Sequence, residues 1–162
     1  MVRDHSGRWG RPVLVSLAAG LFLIGTARGG QITGIVSFGD SLSDVGNYYA
    51  ATGGVSPPTA YGYAQGEFTN GRNWVQYLAQ DLGVAAPTAS VNGGTDYAHG
   101  GAMTGSGTTV STFGPGTATV SNIGQQITDY LGSHMPTAGQ LYTIWGAEMT
   151  SSTAARPTRR SC

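Results

Sequence analysis

Residues 38–47 read Phe-Gly-Asp-Ser-Leu-Ser-Asp-Val-Gly-Asn, a serine set between an aspartate and a leucine immediately after an apolar run. That run, Gly34-Ile35-Val36-Ser37-Phe38, is short and β-branched and ends at Gly39, which is how a buried strand reads. In a parallel α/β sheet, ligands sit beyond the carboxyl ends of the strands, so Ser41 stands at that rim. Gly39 lets the backbone bend without a side-chain clash. A helix beginning near Ser41 would direct free N–H groups toward negative charge developing on a substrate oxygen. These are the requirements of a nucleophile. The bland use of the same residues is a helix cap, with Asp40 or Ser41 accepting from first-turn amides, and a lone Gly-Asp-Ser triplet does not decide between the two.

The elements that must position this turn follow from periodicity. Trp74, Val75, Leu78 and Leu82 recur at helical spacing with Gly83 behind them, predicting a helix over about 72–82. Thr95 to Ala98 suits a short strand running into Gly100-Gly101. Val120, Ile123, Ile127 and Leu131 mark a second helix, with Ser121 or Asn122 as N-cap and Gly132 as C-terminal stop. Leu141-Tyr142-Thr143-Ile144-Trp145 is a third strand. Two stretches carry no period and read as loops: 48–69, with Pro57-Pro58 at its middle, and 103–119, which is almost all Gly, Thr and Ser. Strand, helix, strand, helix, strand is the order of parallel strands joined by right-handed crossovers.

At 162 residues the chain fits one domain, and 40% hydrophobic residues suffice for a core. All eight basic residues are arginine, and only Arg72 lies between residues 31 and 145, against Asp40, Asp44, Glu67, Asp81, Asp96 and Asp129. This net-acidic body argues against nucleic acid as a partner. Arginines in the first eleven residues, the apolar run Val13 to Ile24 and the small residues Gly25-Thr26-Ala27 predict a signal peptide over 1–27. The run is short against the roughly 20 residues a membrane-spanning helix needs. We therefore expect a secreted, periplasmic or cell-surface protein with no stable membrane span. Cys162 is the single cysteine and the three histidines are scattered, so no disulfide and no metal site are expected.

Taken whole, "FGDSLSDVGN" closely resembles the first block of the GDSL, or SGNH, family of secreted esterases and lipases. "EFTNGRNWVQYLAQDLG" is similar to that family's next helix with its Asn-Gly entry, "GGTDYAHGGAMTG" to its second block, and "LYTIWG" to the strand leading into its third. The resemblance runs from about residue 33 to 146. It implies a flavodoxin-like three-layer α/β/α sandwich with a parallel sheet, of which about three of five strands are present in a domain over 31–146. It also implies a cofactor-free hydrolase of small-molecule or lipid esters. Ser41 would be the nucleophile and, through its backbone N–H, an oxyanion donor, with the N–H of Gly101 as a second donor and Gly100 as the one-residue-off alternative. Asp96 stands where relatives usually carry asparagine. Asp40 and Asp44 are expected to shape the turn through backbone hydrogen bonds. Tyr61 and Tyr63, with Tyr48, Tyr49 and Phe68 around them, are candidates to line an acyl pocket, or simply to anchor a glycine-rich loop.

The family's third-block Gly-x-Asn-Asp and late Asp-x-x-His do not follow Gly146, where the chain reads "AEMTSSTAARPTRRSC". Gly-Asn-Asp written GGA AAT GAC and read one base later gives Glu-Met-Thr, the residues at 148–150. We expect residues 147–162 to be a frameshifted, disordered tail, leaving a truncated and nearly inactive esterase. Among the histidines, His5 lies in the signal, His134 at the opposite ends of the strands, and His99 on the same rim as Ser41. The competing class is a non-catalytic exported binding protein with Tyr- and Gly-rich adhesive loops.

Overall fold

The computed structural model describes residues 30–64 and 66–146; the expected signal peptide and the expected frameshifted tail lie outside them. Strand β1 (Gly34–Gly39) pairs in parallel with the last strand among the described residues, Gln140–Trp145, in a register from Gly34 opposite Gln140 to Gly39 opposite Trp145. Its other flank is met by residues 95–99, also running parallel: the Ser37 amide donates to the Thr95 carbonyl (3.0 Å), and the Tyr97 and His99 amides donate to the Ser37 and Gly39 carbonyls (2.7 and 3.1 Å). The run expected at 95–98 is thus a ladder segment joined to β1 by the single Ser37–Asp96 bridge rather than a full strand. The strand that carries the serine turn is central, with both flanks hydrogen-bonded.

Alternation along β1 sends Val36 and Phe38 to one face. There they form a core with Ala102, Ile123 and Tyr130, against which Tyr97 and Ile127 pack. On this side lies the helix Ile123–Ser133, whose residues 123, 127 and 130 make one apolar stripe. The helix Trp74–Leu82 also packs against β1. It starts at Asn73 and stops at Gly83 in a left-handed conformation, as Gly83's position after the periodic run led us to expect. Gly132, by contrast, lies inside its helix, which continues to Ser133.

Two expected loops contain structure. The helix Asn47–Ala51 runs into 48–69, and Thr59–Tyr61 makes a single 3-10 turn there. Residues 103–119 correct the sequence reading more strongly, because most of them form an antiparallel hairpin, strands Thr108–Phe113 and Gly116–Ser121. In chain order the elements are therefore β1 (Gly34–Gly39), α1 (Asn47–Ala51), α2 (Trp74–Leu82), β2 (Thr108–Phe113), β3 (Gly116–Ser121), α3 (Ile123–Ser133) and β4 (Gln140–Trp145). The hairpin has a physical basis: Thr109, Val110, Thr112, Thr117, Thr119 and Val120 are β-branched, and β3 alternates buried with exposed residues. Its two-residue turn has Gly114 at φ +54° followed by Pro115, whose ring holds φ negative, the combination that fits the strand twist. A second core of Tyr48, Ala118 and Val120, backed by Phe68 and Phe113, seats the hairpin on α1. Among the described residues, no helix is long and apolar enough to cross a membrane.

Candidate active site

Beyond Gly39 the chain turns at Ser41–Ser43 instead of entering a helix directly, so the helix expected near Ser41 begins only at Asn47. Asp40 makes the turn: its carbonyl accepts from the Ser43 and Asp44 amides (3.1 and 3.2 Å) and its Oδ1 accepts from the Leu42 amide (3.0 Å). Asp44 then takes over as cap, accepting at Oδ1 from Gly46 (2.8 Å) and Asn47 (2.7 Å) and at Oδ2 from Tyr48 (3.0 Å). Both aspartates serve the backbone, as their turn-forming chemistry led us to expect. Ser41 is left half-buried on the outside of the turn. Among the described residues its amide has no intramolecular acceptor.

The second glycine pair is brought to the same place. Asp44 Oδ2 also accepts from the Gly100 amide (2.8 Å), so one carboxylate holds both loops. Ser41, Gly100 and Gly101 line one cavity of about 350 Å³ together with Leu42, Tyr63, Phe68, Ser111, Thr112 and Phe113. Gly101 sits at φ +81°, and a Cβ there would run into Ser111 Oγ; a Cβ on Gly100 would run into the Phe68 ring. Glycine is required at both positions by close approach, and at Gly101 by backbone conformation as well. Of the two tyrosines singled out from sequence, Tyr63 faces this cavity, whereas Tyr61 is 66% exposed in its 3-10 turn and does not line it.

A second cavity, of about 560 Å³, opens on the other side of Ser41 between α2 and the end of β4, lined by Leu42, Phe68, Thr69, Arg72, Asn73, Trp74, Tyr77 and Trp145. Among the described residues, no histidine lines either cavity. The His99 ring turns back to the Tyr97 carbonyl (Nδ1···O 2.9 Å) and faces a separate cavity with Gln126 and His134. His134 stacks on Tyr130, their centroids 5.0 Å apart.

Burial sets the electrostatics. Asp44 and Asp96 are both fully buried. Desolvation pushes the Asp44 carboxyl up, against the pull of its backbone donors and of nearby His99. Asp96 is pushed well above the usual carboxylate range, again chiefly by desolvation, although Val45 (3.0 Å) donates to its Oδ2. The Asn47 side-chain amide ties the serine turn to the ladder, donating to the Asp96 and Ala98 backbone carbonyls (2.8 and 2.9 Å), and also reaches the Asp96 carboxyl at Oδ2 (3.4 Å). Gln126, also fully buried, closes the end of β1: its Oε1 accepts from the Gly39 amide and its Nε2 donates to the Gly39 carbonyl, both 2.9 Å.

The hairpin wall, the α2 wall and the Asp44–Gly100 link were missed in the sequence. The alternating Thr/Val residues of 108–121 could have revealed the first; nothing local signals a bond between residues 44 and 100.

A turn serine beside glycine amides at the end of a central parallel strand is the arrangement to which the comparison with known families speaks. The sequence model described as GDSL-like Lipase/Acylhydrolase matches residues 35–146, more than half of the chain. The chain belongs to that family. The GDSL-type fold is an α/β SGNH hydrolase, and the small parallel sheet with few helices is an incomplete version of it. Family membership supports ester hydrolysis in general. A search of curated proteins finds no match.

Proposed function

We propose that Ser41 is the nucleophile of a carboxylic ester hydrolase and that the Ser41 and Gly101 amides form part of its oxyanion hole. The Ser41 hydroxyl oxygen attacks the ester carbonyl, the proton passes to a base, and the carbonyl oxygen takes up the negative charge beside the two amides. Collapse expels the alcohol and leaves an acyl-serine, which water then hydrolyses. The observation that carries this reading is that Ser41, Gly100 and Gly101, about sixty positions apart in sequence, line one cavity. The exported location and the tyrosine contact to substrate at Tyr63 belong to the same proposal.

We also read residues 147–162 as out of frame. The third-block asparagine and the Asp-x-x-His base do not follow Gly146, and the base that would pair with Ser41 is not supplied by His99, whose ring faces another cavity. Without such a base at Ser41, only the weak catalysis of binding and oxyanion contacts would remain.

Labelling with a fluorophosphonate tests the first part. Slow modification of this chain, faster modification after the frame is restored, and loss of both in Ser41→Ala are expected; no Ser41-dependent labelling of either protein would refute the assignment. Sequencing the gene around codon 146 tests the second. A neighbouring frame encoding Asn-Asp and a later Asp-x-x-His is the expected result.

A further inference from the structure

The cavity that His99 faces shares no lining residue with either cavity at Ser41. Its volume, about 500 Å³, is in the range of sites for small ligands, and the loop 90–94, the ladder segment and α3 line it. Its hydrogen-bond donors are nearly all spent within the protein. Ser90 Oγ donates to Asn47 Oδ1 (3.1 Å), Ser121 Oγ donates to Asp129 Oδ2 (3.1 Å), and Gln126 Nε2 donates to the Gly39 and Ser121 carbonyls (both 2.9 Å). The one hydroxyl hydrogen of Ser133 is shared among the Asp129 and Tyr130 carbonyls and His134 Nδ1. The backbone amides of Ser90, Gly93, Gly94, Tyr97, His99 and His134 all have carbonyl acceptors. With the Tyr97 hydroxyl donating to His134 Nδ1 (3.3 Å), the ring N–H of the exposed His134 is the one side-chain donor left at this cavity among the described residues.

Acceptors, by contrast, remain. A carbonyl only accepts, so His99 Nδ1 donates to Tyr97, and the neutral ring keeps a lone pair at Nε2. Asp129 is bonded by two neutral donors, Ser121 Oγ and Gln125 Nε2 (2.8 Å), which leave its charge uncompensated. No Lys or Arg lines the cavity; Arg72, the one basic residue between 31 and 145, lines the larger cavity at Ser41 instead. Such a wall disfavours an anion and favours a ligand that brings both hydrogens and positive charge. The acidic excess of the body draws cations toward it. A bare metal ion is not served, because among the described residues no three His, Cys, Asp or Glu are grouped to hold one. Ser121 Oγ and Asp129 Oδ2 are close enough to each other for one ammonium group to bond both, and the Tyr97 and Val91 side chains supply carbon surface in the same cavity.

We propose that this cavity binds a small primary ammonium compound, its charged head on the Asp129 carboxylate and Ser121 Oγ and its hydrocarbon body toward Tyr97 and Val91. No part of this depends on Ser41 being a nucleophile.

Titration of the isotope-labelled full chain with benzylamine, followed by amide chemical shifts at constant ionic strength, tests it. Saturable shifts centred on residues 90–99 and 129–134 are expected. Asp129→Asn alters one exposed side chain, so the protein should fold while the affinity falls about tenfold or more. Val91→Lys, also at an exposed position, places a competing ammonium in the cavity and should weaken binding to a similar degree. Asp81→Asn removes the same charge from α2 and should leave the affinity within about twofold. Tetramethylammonium, which has the charge without an N–H, should bind about tenfold more weakly than benzylamine. The proposal is overturned by the lack of saturable shifts at these residues, by equal losses in Asp129→Asn and Asp81→Asn, or by tetramethylammonium binding as well as benzylamine. Saturation by sorbitol that survives Asp129→Asn would overturn it too, marking a site for uncharged polyols.

Discussion

The carboxylate of Asp44 accepts a 2.8 Å hydrogen bond from the backbone amide of Gly100, fixing the glycine pair to the turn that presents Ser41. The same carboxylate accepts from Gly46, Asn47 and Tyr48, so it organises two loops and the start of α1 at once. Burial pushes its pKa up, and the amides are what make the site tolerable to a carboxylate.

Asp44→Ala strands four amides in a buried site. Each unsatisfied buried group costs about 1–3 kcal/mol, so even with partial rehydration a loss of about 3 kcal/mol or more is expected in urea unfolding. Asp44→Asn keeps one carbonyl acceptor and should fold, but with the Gly100 loop displaced. Fluorophosphonate labelling of Ser41 is expected to slow about tenfold in Asp44→Asn, roughly the effect of a 1.4 kcal/mol loss; wild-type labelling would show that the Gly100 bond has no bearing on the reactivity of Ser41.

Gly101→Ala forces a side chain into a left-handed conformation at φ +81° and against Ser111 Oγ. The backbone cost alone is about 1–2 kcal/mol. Adding Ser111→Gly removes the clash and not the backbone cost, so partial recovery of the melting temperature is expected. Full recovery would mean that space, and not conformation, selects glycine here.

The pH dependence of stability isolates Asp96. Its folded pKa is raised far above the ordinary 3.8, so the folded state binds the proton more tightly than the unfolded chain. The contribution of this group is fully present below the unfolded value and is lost as pH rises through the folded one. Asp96→Asn should therefore match the wild type near pH 3 and exceed it at neutral pH, by about 4 °C in melting temperature for each kcal/mol recovered. Melting curves of both proteins from pH 3 to 8 check this; a gap that widens toward acid would contradict the sign.

Gln126→Met keeps the approximate size of a fully buried side chain and leaves the Gly39 amide without its 2.9 Å acceptor. A loss of about 1–3 kcal/mol is expected by chemical denaturation. Hydrogen exchange at Gly39 should rise disproportionately, because the damage is local to the end of β1.

The sequence was most legible where a single segment carries its own signal. The β-branched run before Gly39 gave β1, the Trp74–Leu82 periodicity gave α2 to within two residues, and the family blocks gave the turn at Ser41. The hairpin was misread because composition outweighed pattern: Gly, Thr and Ser in 103–119 look like a loop, although the threonines and valines alternate as strands do. Partners that meet only after folding left no local trace. The Asp44–Gly100 bond and the Gln126 clasp on Gly39 join residues 56 and 87 positions apart, and the Trp74–Trp145 pair forms only because β4 lies beside β1. The Tyr61 and Tyr63 proposals diverge for a simple reason: one sits within a 3-10 turn and the other just past it.

The β2–β3 hairpin supplies Ser111, Thr112 and Phe113 to the chamber next to Gly101, yet it pairs with neither β1 nor β4. It hangs on α1 through the Tyr48 hydroxyl, which lies 3.1 Å from the Ser111 and Gly116 carbonyls. The serine turn and one wall of its chamber are thereby housed on separate parts of the architecture. A substitution at Ser111 or Thr112 would therefore reshape that chamber without touching a hydrogen bond of the serine turn or of the β1–β4 sheet.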